Sequence, residues 1–180
     1  MQYANCEFMR KHAGMRPQDV PILLKILSYQ KQSVNWQMRH LALDLGLSAS
    51  EVSESLHRSY QAGLINQSKS AVSKNALLEF LEYGIQYVFP QMPGPLVRGI
   101  KTAHSAAPLN RLIQSEEAYV WPFAEGDTKG QAIIPLYPTL VEAAKKDAYL
   151  YQCLALIDAL RVGRAREKQF AKKELRKLVS

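Results

Sequence analysis

Residues 39–65 read RHLALDLGLSASEVSESLHRSYQAGLI, and this stretch decides the fold of the first half of the chain. Its apolar residues recur at helical spacing on either side of Gly46, so the pattern predicts two short helices. Such a pair crosses at a steep angle over a tight turn. Ala42 is small enough for a close approach, and Gly46 can adopt the positive φ angle that the turn needs. Leu47 and Val52 are expected to fill the space between the helices.

The helix before the turn is expected to be capped by Asn35. Its predicted inner residues are Trp36, Met38, Leu41, Ala42 and Leu45. The helix after the turn is expected to begin at Ser48 or Ser50, which can cap it and leave its N-terminus facing outward. It is predicted to run to about Ala62, to end at Gly63, and to bury Val52, Leu56 and Tyr60. A helix end that faces outward in this way fits the major groove of DNA.

The same stretch resembles the helix-turn-helix of winged-helix transcription regulators, most closely the MarR-like kind. The matching residues are Leu41-Ala42, Leu45-Gly46-Leu47-Ser48, Ser50, Val52-Ser53, Leu56 and Ala62-Gly63-Leu64-Ile65. The resemblance covers about residues 18–75, and its Gly-Leu-Ile ending is where such regulators leave the recognition helix and start the wing strand. The strand is expected at residues 64–66, and the wing at the polar loop 68–73.

The resemblance implies which residues face DNA. On the recognition helix they are Ser48, Ser50, Glu51, Ser53, Glu54, His57 and Arg58. Lys69 and Lys74 would contact the phosphate backbone from the wing. Two glutamates on this helix depart from the pattern, because a carboxylate can accept a hydrogen bond from cytosine but repels phosphate. A winged helix that binds protein instead of DNA is therefore the alternative.

The charge of the chain lies mostly at its far end. The 180 residues include 23 Lys plus Arg and 16 Asp plus Glu, a net charge of +7. Residues 1–90 carry +2, residues 91–160 carry −1 and residues 161–180 carry +6. The last segment is either a solvated helix or an arm that touches phosphate without reading sequence. The predicted phosphate contacts in this arm are Arg164, Arg166 and Lys168.

The remainder of the chain divides at the proline- and glycine-rich stretch 90–95, which cannot continue a helix. Helices are predicted over residues 18–29, 75–89, 139–162 and 164–178, with a short one at 109–114. Residues 1–16 are expected to be a loose lead-in, and residues 96–107 to be irregular. The β-rich runs 118–123 and 131–136 predict a β-hairpin with a longer loop. The helix 139–162 is apolar nearly all round, so either its own domain or a second copy of the chain is expected to cover it.

The predicted fold class is mainly α, of the α+β kind. It has a winged helix-turn-helix DNA-binding domain over residues 17–90 and a small effector, dimerisation or partner-binding domain over residues 96–180. The second domain contains the hairpin and two C-terminal helices.

Several classes of function are not expected. Cys6 and Cys153 are too few for a disulfide scaffold or a zinc ribbon, and His12, His40, His57 and His104 lack metal-ligand spacing. His104 is expected to be a hydrogen-bonded structural residue, since no third group is seen to orient it for catalysis. We expect no enzyme, no cofactor, no signal peptide and no membrane span, and a reducing, cytoplasmic location.

The sequence therefore predicts a sequence-specific DNA-binding transcription regulator that binds double-stranded DNA as a homodimer. The alternative is an antitoxin or accessory regulator of a two-gene system. In that case the winged helix would repress its own promoter, and the C-terminal domain would hold a partner protein.

Overall fold

A computed structural model describes residues 14–180 of the protein. The predicted lead-in therefore lies outside the described residues up to position 13, and so do Cys6 and His12. The described residues form the helices α1 (Asp19–Lys31), α2 (Met38–Leu45), α3 (Ala49–Gln61), α4 (Lys74–Glu79), α5 (Ile85–Val88), α6 (Leu140–Lys145), α7 (Ala148–Val162) and α8 (Ala165–Val179). The strands are β1 (Leu96–Lys101), β2 (Tyr119–Pro122) and β3 (Thr128–Ala132). The fold is thus mainly helical with one small sheet, an α+β arrangement.

Helix α1 lies at the centre of the molecule, and every residue from Asp19 to Tyr29 is buried. Helix α7 is buried from Cys153 to Arg161 and packs against α1, α5, α6 and α8. The sequence left open whether the apolar helix is covered by its own domain or by a second copy of the chain. In the structure, elements of the same chain cover it. One hydrophobic cluster continues from α1 through α7 to α8, so the two predicted domains share a core. The division at residues 90–95 stays a prediction.

Asp147 interrupts the long helix predicted over residues 139–162, which was wrong as a single helix. The chain leaves α6 after Lys145, and the Asp147 side chain accepts a hydrogen bond from the Leu150 amide to begin α7. The same carboxylate accepts hydrogen bonds from Lys25 Nζ at 2.9 Å and Ser28 Oγ at 2.7 Å, both on α1. Lys25 Nζ also lies 3.0 Å from an Asp44 oxygen on α2. A charged cluster that is buried at Lys25 and Asp147 and exposed at Asp44 therefore joins α1, α2 and α7.

A second buried polar group attaches the sheet to α7. Asp158 accepts hydrogen bonds from Thr102 Oγ1, Trp121 Nε1 and Arg161. The donor–acceptor distances are 2.8, 2.6 and 2.8 Å. Burial raises the pKa of Asp158, and the three donors oppose that shift. Because Trp121 lies on β2 and Thr102 follows β1, this one carboxylate positions two strands.

The three strands form a small closed barrel, and two predictions about them were wrong. Residues 96–101 are a strand and not irregular chain, and β1 pairs antiparallel with both β2 and β3. Strands β2 and β3 therefore pair parallel with each other, with Tyr119 opposite Gln131, and form no hairpin. A Cβ on Gly99 would lie 2.0 Å from the Trp121 carbonyl oxygen. Only glycine allows so close a crossing of strands.

Smaller differences from the predicted elements have local causes. Helix α2 begins at Met38 after Gln37, so Asn35 is not its cap, and Met38 is 47% exposed. Tyr60 is 41% exposed and was wrongly predicted to be buried. The strand predicted at 64–66 is a single bridge between Ile65 and Val72. The helix predicted over residues 75–89 contains a π-helical turn at Phe80–Gly84 between α4 and α5. The short helix predicted at 109–114 is a 3-10 turn, Leu109–Arg111.

Replacing Asp147 with alanine is expected to lower the free energy of unfolding by about 3 kcal/mol. Lys25 would keep only Asp44 as a partner, and α7 would lose its cap. Urea unfolding measures this loss. Glu142→Ala, on the exposed side of α6, is the matched control and should change stability by less than about 0.5 kcal/mol. Equal stabilities for the two variants would contradict the role given to Asp147.

The same carboxylate predicts acid sensitivity. Burial alone would raise the pKa of Asp147, but the Leu150 amide, Lys25 and Ser28 outweigh it and hold the pKa below its usual value. Its contribution to stability is therefore present above about pH 4 and is lost as the pH falls through the folded-state pKa. The stability difference between wild type and Asp147→Asn should shrink on acidification below about pH 4 in urea unfolding.

Candidate nucleic-acid interface

The turn between α2 and α3 depends on Gly46, which ends α2 with a φ of 64°. Its amide donates to the Leu43 carbonyl, and the Leu47 amide donates to the Ala42 carbonyl at 2.9 Å. A side chain at position 46 would be strained in this left-handed conformation. The turn predicted from Gly46 is therefore confirmed.

The inner side of α3 packs on the core. Ser48 is the N-cap and accepts a hydrogen bond from the Glu51 amide at 3.1 Å, so the first of the two predicted capping serines is the cap. Val52 and Leu56 are buried, while Ala42 of α2 is half-buried against the same core. The end of α3 is set by Gly63, whose φ is 72°.

The outer side of α3 presents four predicted contact residues without internal partners. Ser50, Ser53, Glu54 and His57 are exposed, and within residues 14–180 no hydrogen bond or ion pair engages their side chains. Ser48 is exposed as well, although its hydroxyl caps the helix. The arrangement brings hydroxyl groups, a carboxylate and an imidazole to one helix face.

Arg58 does not belong to this face, and the prediction that it contacts DNA does not fit its position. Its guanidinium is buried and binds the Asp19 carboxylate of α1 through two hydrogen bonds of 2.9 and 2.7 Å. The hydrogen bonds to Asp19 raise the pKa of Arg58, so this residue is charged throughout the physiological range. The sequence could not reveal the buried position of Arg58, because its partner Asp19 lies 39 positions earlier in the chain.

Glu51 is also held internally. It accepts hydrogen bonds from Arg58 at 2.7 Å and from Gln18 at 2.9 Å, and Arg16 lies 3.6 Å from its second oxygen. Burial would raise its pKa, but the bonds from Arg58 and Gln18 outweigh burial and lower it. The phosphate repulsion expected from Glu51 is therefore reduced by neighbouring positive charge, and Glu54 is the unpaired acid of the helix.

The predicted wing is a tight turn held to α1. Asn66 accepts hydrogen bonds from the amides of Ser70 and Ala71 through its side chain, and Gln30 of α1 donates to the Ser70 carbonyl. Lys69 has a φ of 56° at the tip and is half-buried. Lys74 is exposed and begins α4.

An open cleft of about 600 Å³ separates α3 from the wing. Its lining residues are Gln30, Val34, Asn35, Trp36, Met38, Ser53, Leu56, Ser68, Lys69 and Ser70. Ser53 and Lys69 therefore face a common space, which connects the exposed side of α3 with the wing tip.

The basic residues of α8 lie elsewhere. Arg164 and Arg166 are exposed at its start, and Lys168 donates to Gln86 beside α5. The opposite end of α8, at Ser180, shares a small pocket with Lys74. Because 15 residues of helix span about 22 Å, the three predicted phosphate contacts of α8 are separated from the wing by most of the helix length.

Two residues from the second half bind the turn between α2 and α3, and no pattern in the sequence predicted either contact. Tyr137 donates to the Leu45 carbonyl at 3.1 Å, and Thr139 donates to the same oxygen at 3.0 Å. A Cβ on Gly46 would lie 3.2 Å from the Thr139 side chain. The polypeptide that follows β3 therefore contacts the turn that orients α3.

His104, the residue considered for catalysis, is buried with Nε2 at 3.0 Å from the Glu117 carbonyl oxygen, in line with a hydrogen-bonded structural histidine. Among residues 14–180, no three His, Cys, Asp or Glu side chains are grouped as a metal site, and no helix is long and apolar enough to cross a membrane. Comparison of the chain with protein-family models, curated proteins and solved structures finds no match.

Arg58→Ala is expected to destabilise the protein by about 3–5 kcal/mol, because it leaves the fully buried Asp19 carboxylate without its partner. Thermal or urea unfolding measures the loss. The control is Arg39→Ala, which removes an exposed arginine from α2 and should cost less than about 0.5 kcal/mol. If Arg58→Ala were as stable as Arg39→Ala, Arg58 would be available for an external partner.

Proposed function

We propose that the protein is a DNA-binding transcription regulator that reads double-stranded DNA with the exposed face of α3. The observation that carries this proposal is the division of α3 into two sides. Arg58 is bound to Asp19 of α1 and Glu51 to Arg58 and Gln18, whereas Ser50, Ser53 and His57 face outward without internal partners. A helix that is firmly held on one side and unpaired on the other suits insertion into a groove.

The exposed side chains supply the hydrogen-bonding groups that base recognition needs. Serine hydroxyls can bond to either base of a pair, and a carboxylate such as that of Glu54 can accept from the amino group of cytosine. Lys69 and Lys74 would bind phosphates on the flank and fix the position of the helix without choosing a sequence. The predicted phosphate contacts of α8 would reach only DNA that extends well beyond the groove occupied by α3. These residues are Arg164, Arg166 and Lys168.

A homodimer is part of the proposal, because a two-fold operator requires two copies of the reading helix. Helix α7 no longer argues for it, since the chain's own elements cover that helix. The dimer would therefore use another surface, and sedimentation equilibrium of the free protein tests it directly.

The second candidate is the autoregulating member of a two-gene system. Its support is a pair of exposed apolar residues at strand ends: Leu96, which begins β1, is 62% exposed, and Ile134, two residues after β3, is 55% exposed. Exposed apolar residues of this kind are typical of protein-binding surfaces when they are grouped. A stoichiometric complex with the product of an adjacent gene, lost in Leu96→Ser/Ile134→Ser, would favour this role.

Replacing both Ser53 and His57 with alanine is expected to weaken binding to a specific duplex by roughly tenfold or more, because each lost base contact removes about 1–3 kcal/mol of discrimination. Mobility shift with the DNA upstream of the protein's own coding region measures it. Binding to an unrelated duplex should change little. An equal loss on both duplexes, or no loss on either, would contradict base reading by α3.

The phosphate contacts are tested by salt dependence. Lys69→Gln and Lys74→Gln are each expected to reduce the slope of log affinity against log salt by about 0.9, and to do so for every duplex sequence. Lys129→Gln, an exposed lysine of β3, is the charge-matched control. Truncating α8 is no substitute for point variants, because Ala171, Leu175 and Val179 are buried in the core.

A further inference from the structure

Two exposed tyrosines lie one helical turn apart at the junction of the π-helical turn with α5. Tyr83 is 60% exposed and Tyr87 is 77% exposed. Tyr83 lies in the π-helical turn Phe80–Gly84, and Tyr87 lies in α5. Single π-helical turns are rare and occur frequently at functional sites. Large aromatic rings exposed in pairs are not explained by packing of this chain.

The π-helical turn keeps two rows of side chains in line across the junction of α4 and α5. Leu77, Leu81 and Ile85 occur at intervals of four residues, and all three are buried. Four-residue intervals drift around a regular α-helix, which has 3.6 residues per turn, and a wider turn compensates for the drift. Tyr83 and Tyr87 lie two positions after Leu81 and Ile85 and point outward. Their side chains therefore stay in line as well.

Lysines of α8 lie beside this row. Lys172 Nζ is 4.2 Å from the centre of the Tyr83 ring, and Lys168 Nζ donates to Gln86, the neighbour of Tyr87. Lys168 and Lys172 are themselves one turn apart. Lys172 thus lies on the Tyr83 ring, and Lys168 is held at the position before Tyr87. Within the tyrosine pair and within the lysine pair, the Cβ atoms are about 5–6 Å apart.

The acids around the tyrosines are largely neutralised. Glu82 is buried and bound through both oxygens to Arg176, and Glu174 is paired with Lys177. The accessible charge beside the tyrosines is therefore positive, with Glu79 one turn before Tyr83 as the acidic limit of the surface. A positive surface of this kind fits an anionic partner and repels a second copy of itself.

We propose that this surface, formed by Tyr83, Tyr87, Lys168 and Lys172, binds single-stranded nucleic acid. Lysines in a line contact successive phosphates, and exposed tyrosine rings stack on unpaired bases, whose flat faces are alike for all four bases. Duplex DNA offers the phosphates but keeps its bases stacked inside, so the tyrosines would find no partner there. The surface is separate from the outer face of α3 and does not depend on the function proposed for that face.

The test uses the full chain and a fluorescein-labelled oligothymidine of about a dozen nucleotides, with fluorescence anisotropy at low salt. Tyr83→Ala/Tyr87→Ala is expected to weaken binding at least about tenfold, whereas Tyr83→Phe/Tyr87→Phe should stay within about twofold because the rings remain. Lys168→Gln/Lys172→Gln should reduce the slope of log affinity against log salt by about 1.4. Lys129→Gln/Lys145→Gln removes the same charge elsewhere, including a lysine over the Phe123 ring, and should leave the tyrosine dependence intact.

Three results would overturn the proposal. One is the absence of binding by the wild-type protein at low salt. Another is equal binding by the alanine and phenylalanine pairs at unchanged melting temperature. The third is displacement of the oligothymidine by polyglutamate as effectively as by unlabelled oligothymidine, which would show a surface that selects charge alone. Loss of duplex binding in Ser53→Ala/His57→Ala with oligothymidine binding retained would separate this site from the one on α3.

Discussion

The carboxylate of Asp147 is the constraint on which the arrangement of the two halves depends. It begins α7, and in the same position it binds Lys25 and Ser28 of the central helix α1. Lys25 extends the cluster to Asp44 on α2. Burying these charges is costly unless each finds a partner, so the cluster favours the placement of α1, α2 and α7 in which the partners meet. The helix pair α2–α3 therefore has a defined orientation toward the second half.

That orientation is reinforced at the turn itself. Tyr137 and Thr139 both donate to the Leu45 carbonyl, which the end of α2 leaves without a helical partner. The barrel is tied to α7 through Asp158, and the chain that leaves the barrel contacts the turn before α3. A rearrangement of the barrel would therefore disturb the hydrogen bonds that Tyr137 and Thr139 donate to the turn.

The distribution of charge in the folded molecule differs from its distribution along the chain. The basic excess of residues 161–180 does not form a free arm, because α8 contributes buried residues to the core and binds Glu82 and Gln86. Lys172 instead lies over the exposed Tyr83 ring, and Lys168 donates to Gln86 of α5. Part of the positive charge that predicted an arm touching phosphate is therefore held against the neighbouring helix.

Local features of the first half could be predicted from neighbouring residues alone. Apolar spacing around Gly46 and the capping preference of Ser48 depend on neighbouring residues only, so α1, the turn and α3 could be predicted. The outward positions of α3 were implied by the resemblance to winged-helix regulators, and of these Ser48, Ser50, Ser53, Glu54 and His57 are exposed.

The other features depend on partners that are distant in the chain, so they could not be predicted from local sequence. Arg58 was predicted to face DNA. In the fold it binds Asp19, which lies 39 positions away in the chain. Asp147 was predicted to lie within one long helix. In the fold its side chain accepts hydrogen bonds from Lys25 and Ser28, and the helix is interrupted there. The strands of the barrel read as a hairpin because β2 and β3 follow one another closely. In the fold β1 pairs antiparallel with both of them, so β2 and β3 are parallel neighbours. Periodicity reports which residues are apolar, whereas the choice of partner for a buried charge or a strand is made in three dimensions.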